Sequence, residues 1–233
     1  MTTNNVEYSS DIRVELIRSM ASDDMVVQAA QVSAKGENNP NTVPERLIDS
    51  LMRQKHGSPF EHNSFTFFIE APIFVVREWQ RHRMSSFNEM SGRYTTLKPK
   101  FYLPPSTRPT RNVGTSMKPS FVYDEGQMEI VESSILVNSH EAWKTYMHML
   151  DEGVANEVSR MVLPLNIYTQ FYWMVNARSL MNFLGLRVNS EDSLVASYPQ
   201  LEIQKGAEKV ELVFADKMPY THKSFVRNGR VAP

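Results

Sequence analysis

The chain has no cysteine among its 233 residues. This excludes disulfides, thiolate metal sites and a cysteine nucleophile. Glycine is scarce, with 9 residues, and none of them builds a GxGxxG turn or a P-loop, so a doubly wound nucleotide-binding fold has no local support. No apolar run approaches the roughly 20 residues that a membrane-spanning helix requires. The opening MTTNNVEYSSDIRVELI lacks the apolar core of a signal peptide. A charge excess is missing too: 25 basic side chains face 26 acidic ones, for a net charge of -1. General nucleic-acid binders carry a basic surplus, so neither nucleic acid nor membrane is expected as a partner. Repeats and low-complexity tracts are absent. The expectation is a soluble cytoplasmic protein.

What is present is an ordinary globular composition, 41% hydrophobic and 22% charged. The length and even composition suit a single domain over 1–233, with residues 1–10 as a flexible polar arm. Strands are expected at DIRVELIRSM, FTFFIEA and IYTQFYWMVNA. Helices are expected at SDDMVVQAAQVSAK behind a Ser22 cap, at PERLIDSLMRQK, and at IFVVREWQRHR after Pro72. The longest helix should cover YDEGQMEIVESSILVNSHEAWKTYMHMLDEG, with Met128, Trp143 and Tyr146 on its apolar stripe. ARSLMNFLGLR should form a helix closed by Gly185, and EIQKGAEKVELVFADKM a last long one. Irregular alternation of the two element types points to an α+β fold, a central sheet covered by long helices.

The chemistry concentrates in RHRMSSFNEMSGRY, residues 81–94, directly after an apolar run. On a helix over 73–83, Arg77 and Arg81 share a face, while Arg81, His82 and Arg83 fan out about 100° apart. They would serve different partners, either two ligands or a ligand and another subunit. In an extended segment Glu89, Ser91 and Arg93 point one way, and Met90 and Gly92 the other. Such a face suits a polar anionic molecule. The plain alternative is a solvated set of ion pairs, Glu89 with Arg93 among them. His56, Glu61 and His62 in KHGSPFEHNSF form a turn or, less in keeping with known spacings, a metal site. Asn176 reads as a helix cap, with Arg178 and Asn182 on one face beyond it and Arg187 past the glycine stop.

These residues resemble the flavin-dependent thymidylate synthases, the ThyX type. Arg81, His82, Arg83 and Ser91 match the RHR-seven residues-Ser motif. HGSPFEHNSFTFFIEAPIFVVREWQRHR and RMVLPLNIYTQFYWMVNARSLMNFLGLR agree on either side, and the likeness runs from about residue 12 to about 220. It implies methylation of dUMP to dTMP by a homotetramer. Methylenetetrahydrofolate would be the carbon donor, and FAD reduced by NADPH the hydride source. By position it implies FAD contacts at His56, Ser58, Arg81, His82, Arg83, Glu89, Asn176, Ala177, Arg178 and Asn182. The dUMP contacts would be Glu78, Trp79, Gln80, Arg81, Glu89, Met90, Ser91, Gly92, Arg93, Arg160 and Arg187, with Arg187 as the arginine that activates the uracil. No metal is implied. The family often has glutamine at the position of Glu78, and a shorter, histidine-containing segment where this chain has VNSEDSLVASYPQLEIQ. The opposing readings are a nucleotide- or RNA-binding module without catalysis, and a metal hydrolase built on His56, Glu61 and His62.

Overall fold

The computed structural model describes residues 6–35 and 42–233. The fold is α+β. Strand β1 (Glu7–Ser9) is followed by β2 (Arg13–Met20), helix α1 (Asp23–Lys35) and helix α2 (Pro44–Arg53). A short 3-10 helix, Ser58–His62, leads into β3 (Ser64–Pro72), α3 (Ile73–Trp79) and β4 (Ser85–Glu89). Next come β5 (Lys100–Tyr102), β6 (Arg111–Asn112), β7 (Phe121–Val122), the long α4 (Glu125–Asp151) and α5 (Asn156–Ser159). The chain closes with β8 (Tyr168–Val175), α6 (Ala177–Arg187), α7 (Leu201–Lys217) and α8 (Pro219–Arg227). One sheet has the order β2-β3-β8-β4; β1 pairs with β5 in parallel, and β6 with β7 antiparallel.

The described chain divides into two compact units interleaved in sequence. The first comprises the residues up to Ile12, Glu70–Arg77 and Glu89–Gln170; the second comprises Arg13–Ile69, Glu78–Asn88 and Phe171–Pro233. In the first, the α4 stripe packs as its spacing predicts. Trp143 and Tyr146 join Phe101 and Ile167 in a core, with Ile73, Leu97 and Leu150 around it. In the second, β8 alternates. Phe171, Trp173 and Val175 are buried, while Tyr172 and Met174 stay exposed. Trp173 meets Phe183 at 5.0 Å, Trp79 at 5.4 Å and Phe67 at 5.7 Å between ring centroids. Each such aromatic pair adds about 0.5–1.5 kcal/mol beyond its buried area.

Local expectations meet four exceptions. The helix after Pro72 ends at Trp79, not at residue 83. Arg81 N–H bonds the Glu78 carbonyl and His82 N–H the Trp79 carbonyl, so the last turn tightens, and Arg81 to Arg83 leave the helix. Gly185 is no stop: α6 runs through it to Arg187. Its missing side chain serves packing instead, because a Cβ there would lie 2.7 Å from the Arg230 carbonyl oxygen. Of the arm expected at 1–10, residues 1–5 lie outside the described residues. Glu7–Ser9 is a paired strand, fixed by hydrogen bonds that a polar composition does not reveal. Helix α8 has a Pro219 start that sequence reading missed. Among the described residues no helix is long and apolar enough to cross a membrane.

Candidate functional site

In the second unit, the residues after α3 and the two ends of α6 converge. Asn176 caps α6 by accepting from Ser179 N–H at 2.8 Å, as its position predicts. A cavity of about 190 Å³ is lined by His82, Arg83, Met84, Val175, Ser179 and Asn182. His82 rests edge-on against Phe183, with centroids 4.9 Å apart. Arg81 and Arg83 are exposed. No acidic residue lines this cavity. Arginine, amide and hydroxyl groups beside apolar side chains suit a phosphate chain joined to a flat ring.

The C-terminal end of α6 carries the arginine. The Arg187 Nη1 donates to Glu78 Oε2 at 2.7 Å, its Nη2 to the Glu78 carbonyl at 3.2 Å, and its Nε to His82 Nε2 at 3.1 Å. The partner that offsets Glu78 is thus Arg187. Burial, then the Arg187 charge, pushes the His82 imidazole down to about 4, so it is neutral and accepts. Burial raises the Glu78 carboxyl above its ordinary value; Arg187 opposes this and Glu202 adds to it.

Arg178 lies elsewhere on α6. It bonds Glu61 Oε1 at 2.6 Å and the Pro233 carbonyl at 2.7 Å. It also passes over Gly57, where a Cβ would stand 2.5 Å from its Nε; this brings it beside Ser58. His56, Ser58, Glu61 and His62 are exposed. Among the described residues no three His, Cys, Asp or Glu side chains are placed to hold a metal ion. Trp79 is fully buried, while Gln80 is exposed. Ala177 is buried at the start of α6. The segment after Arg187, from 189 to 200, has no helix or strand, yet Leu194 N–H bonds the Gly229 carbonyl and Ser197 Oγ the Val188 carbonyl.

In the first unit, β4 ends at Glu89, and the chain then turns instead of alternating. Tyr94 and Thr95 N–H both reach the Ser91 carbonyl, and Ser91 Oγ accepts from Arg93 N–H. Glu89 accepts from Thr169 Oγ1 at 2.8 Å, and Met90 N–H bonds the Gln170 carbonyl. Arg93 pairs with Glu157 at 2.9 Å, not with Glu89. Gly92 packs on Arg160: a Cβ at Gly92 would be 3.3 Å from the Arg160 Cδ. Ser91, Gly92, Arg93 and Arg160 are therefore neighbours. Sequence reading missed Glu157, Thr169 and Ser179 as supports, and offered Glu61 only as a turn or metal-site residue, whereas it accepts from Arg178. Only Ser179 had a signal, its place three residues after a capping asparagine.

Comparison with known proteins identifies relatives over nearly the whole chain. The family model described as thymidylate synthase complementing protein matches residues 15–220. A flavin-dependent thymidylate synthase of Streptomyces coelicolor is 50% identical, covering 98% of this chain and 96% of that protein. One from Thermotoga neapolitana is 44% identical, over 92% and 90%. Among solved structures, the UMP/dUMP methylase PolB from Streptomyces cacaoi, bound with 5-Br UMP, superposes with a TM-score of 0.91 at 44% identity, covering 98% of this chain and 99% of that one.

Proposed function

Since the chain belongs to the flavin-dependent thymidylate synthase family, we propose that it methylates dUMP to dTMP with FAD as cofactor, methylenetetrahydrofolate as carbon donor and NADPH as reductant. The observation that carries the reading is the Arg187 guanidinium, held half-buried by Glu78 and His82. To attack a one-carbon unit, C5 of the uracil must become electron-rich, and negative charge then builds on the ring oxygens and N3. A guanidinium beside the ring stabilises that charge and does not give up its own proton. The other route to an activated uracil, addition of an enzyme thiolate, is closed to a chain without cysteine.

The residues present fit a flavin dinucleotide. The acid-free cavity of His82, Arg83, Ser179 and Asn182 offers donors for the phosphates, and Met84 and Val175 offer apolar contact. We assign FAD binding to His56, Ser58, Arg81, His82, Arg83, Glu89, Asn176, Ala177, Arg178 and Asn182. The chemistry a bound flavin supplies is hydride transfer, from NADPH to the one-carbon unit on its way to a methyl group. Nucleotide binding is assigned to Glu78 by way of its hold on Arg187, and to Trp79, Gln80, Arg81, Glu89, Met90, Ser91, Gly92, Arg93, Arg160 and Arg187. The Ser91–Arg93 turn, backed by Arg160, offers main-chain and guanidinium donors to a phosphate. Ser91 is given a binding role, not that of a nucleophile.

The chain is proposed to act as one domain within a homotetramer. Exposed Tyr172, Met174 and Ile17 in the second unit support self-association. The cytoplasm is its proposed place, since dUMP, folate and NADPH are cytoplasmic metabolites.

The test is the visible spectrum of the purified protein during titration with dUMP, then product analysis with NADPH and methylenetetrahydrofolate. A flavin band that shifts with dUMP, together with dTMP as product, is the expected result. A parallel titration with UMP asks whether the ribonucleotide named for PolB is also a substrate. A colourless protein that takes up no added FAD and makes no dTMP would leave a binding module without catalysis.

A further inference from the structure

Arginine has a long side chain with many rotamers, and the value of Arg187 to a reaction depends on where the guanidinium is before a ligand arrives. Here each of its three nitrogens is engaged, by the Glu78 carboxylate, the Glu78 carbonyl and the His82 ring. The guanidinium is aimed without being sealed. The Arg187 side chain keeps 18% of its surface and that of Glu78 keeps 26%. Its remaining N–H groups can meet a ligand. Glu78 and His82 both come from the end of α3, where the helix tightens and breaks; they therefore grip the arginine from one short stretch of chain. The hold is mutual. Burial and the Glu202 charge both favour the neutral form of Glu78, and the Arg187 charge opposes them.

We propose that Glu78 is a positioning residue, whose carboxylate, with the His82 imidazole as second anchor, fixes the Arg187 guanidinium in the orientation in which it meets the pyrimidine nucleotide. This rests on the reading of Arg187 given above. Glu78 acts through Arg187, and its contribution vanishes when the arginine is absent. Orientation set in advance lowers the cost of stabilising charge in the transition state, because the donor does not have to reorganise.

A double-mutant cycle tests it, with Glu78→Ala, Arg187→Ala and the two combined, read by kcat for dTMP formation and by calorimetric dUMP affinity of the FAD-loaded protein. Glu78→Ala is expected to lower kcat by about ten- to a hundredfold, the scale of a misplaced reacting group. Glu78→Gln keeps a hydrogen-bonding side chain and should recover most of that loss. In the Arg187→Ala background, Glu78→Ala should cost nothing further. Equal losses in both backgrounds, or wild-type kcat in Glu78→Ala, would overturn the proposal. A crystal structure of Glu78→Ala separates this claim from the reaction itself. If Arg187 stays on His82 there, positioning by Glu78 fails even though dTMP synthesis stands. If Arg187 moves away while the wild type makes no dTMP, the positioning stands and the assigned reaction fails.

Discussion

The second unit contains two arginine–glutamate–histidine clusters that differ in which residue sits at the centre. In one, Arg187 is central, with Glu78 and His82 on its nitrogens. In the other, Glu211 is central: Arg230 grips both its oxygens at 2.7 and 2.8 Å, and His222 Nε2 lies 2.9 Å from the first of them. Burial pushes the Glu211 carboxyl up, but the hydrogen bonds and charges of His222 and Arg230 outweigh it and hold the group at about 2. Glu78 goes the other way, with burial prevailing over Arg187. The Arg230 side chain is 4% exposed and that of Arg187 18%. A carboxylate at the centre with two donors is satisfied and closed, as a structural tie requires. A guanidinium at the centre, shared between an acid and a neutral ring, still has donors to offer. Identical residue types thus give a lock in one place and a working group in the other.

Breaking each cluster should separate these roles. Arg187→Ala should cut dTMP formation by about a hundred- to a thousandfold, the scale for losing a donor to developing charge. FAD content and unfolding midpoint should stay near wild type, measured by absorbance and thermal scans. Glu211→Ala leaves a buried arginine unpaired and should cost about 3–5 kcal/mol in chemical denaturation, with turnover per folded molecule little changed. Loss of turnover without loss of stability would make the second cluster functional and end the contrast.

Acid sharpens the comparison. His82 is depressed to about 4 from an ordinary 6.5, so the unfolded chain binds the extra proton first, and stability falls as pH drops from about 6.5 towards 4. Glu211 is depressed to about 2, so its contribution is complete above about 4.5 and is lost as pH falls towards 2. After discounting for solvent screening, each window should be worth about 2 kcal/mol. Denaturation curves taken across pH should lose the upper window in His82→Asn and the lower one in Glu211→Gln. A last effect joins the clusters. Gly185→Ala would drive a methyl against the Arg230 carbonyl, 2.7 Å away, at a cost of about 1–3 kcal/mol in denaturation. If it cost nothing, the close approach of α6 to the Arg230 main chain would not matter to stability.

Elements with a local cause were legible in the chain. The Ser22 hydroxyl accepts from Met25 N–H at the start of α1, Pro44 sits at the start of α2, and Asn176 caps α6. The first two turns of α3 were legible too, but its end was not. REWQRHR holds no proline or glycine to stop a helix, yet hydrogen bonds to the Glu78 and Trp79 carbonyls turn the chain aside. Ion pairs were misread for a similar reason. Glu89 and Arg93 have the right spacing for each other, yet Thr169 and Glu157 take them, 80 and 64 residues away.

By itself, then, the sequence determined most of the long helices and strands, the buried stripe of α4, the absence of thiol chemistry and the RHR…Ser pattern that marks the family. Each of these depends on near neighbours or on residue identity alone. Only the tertiary structure decided that Arg187 ends α6 rather than following it, that Gly185 admits a neighbouring carbonyl, and that Glu78 and His82 hold the arginine between them. Those facts join positions 105 and 109 residues apart. No periodicity encodes them, because a side chain's partner is fixed by where packing brings distant backbone together, after local preferences have been satisfied.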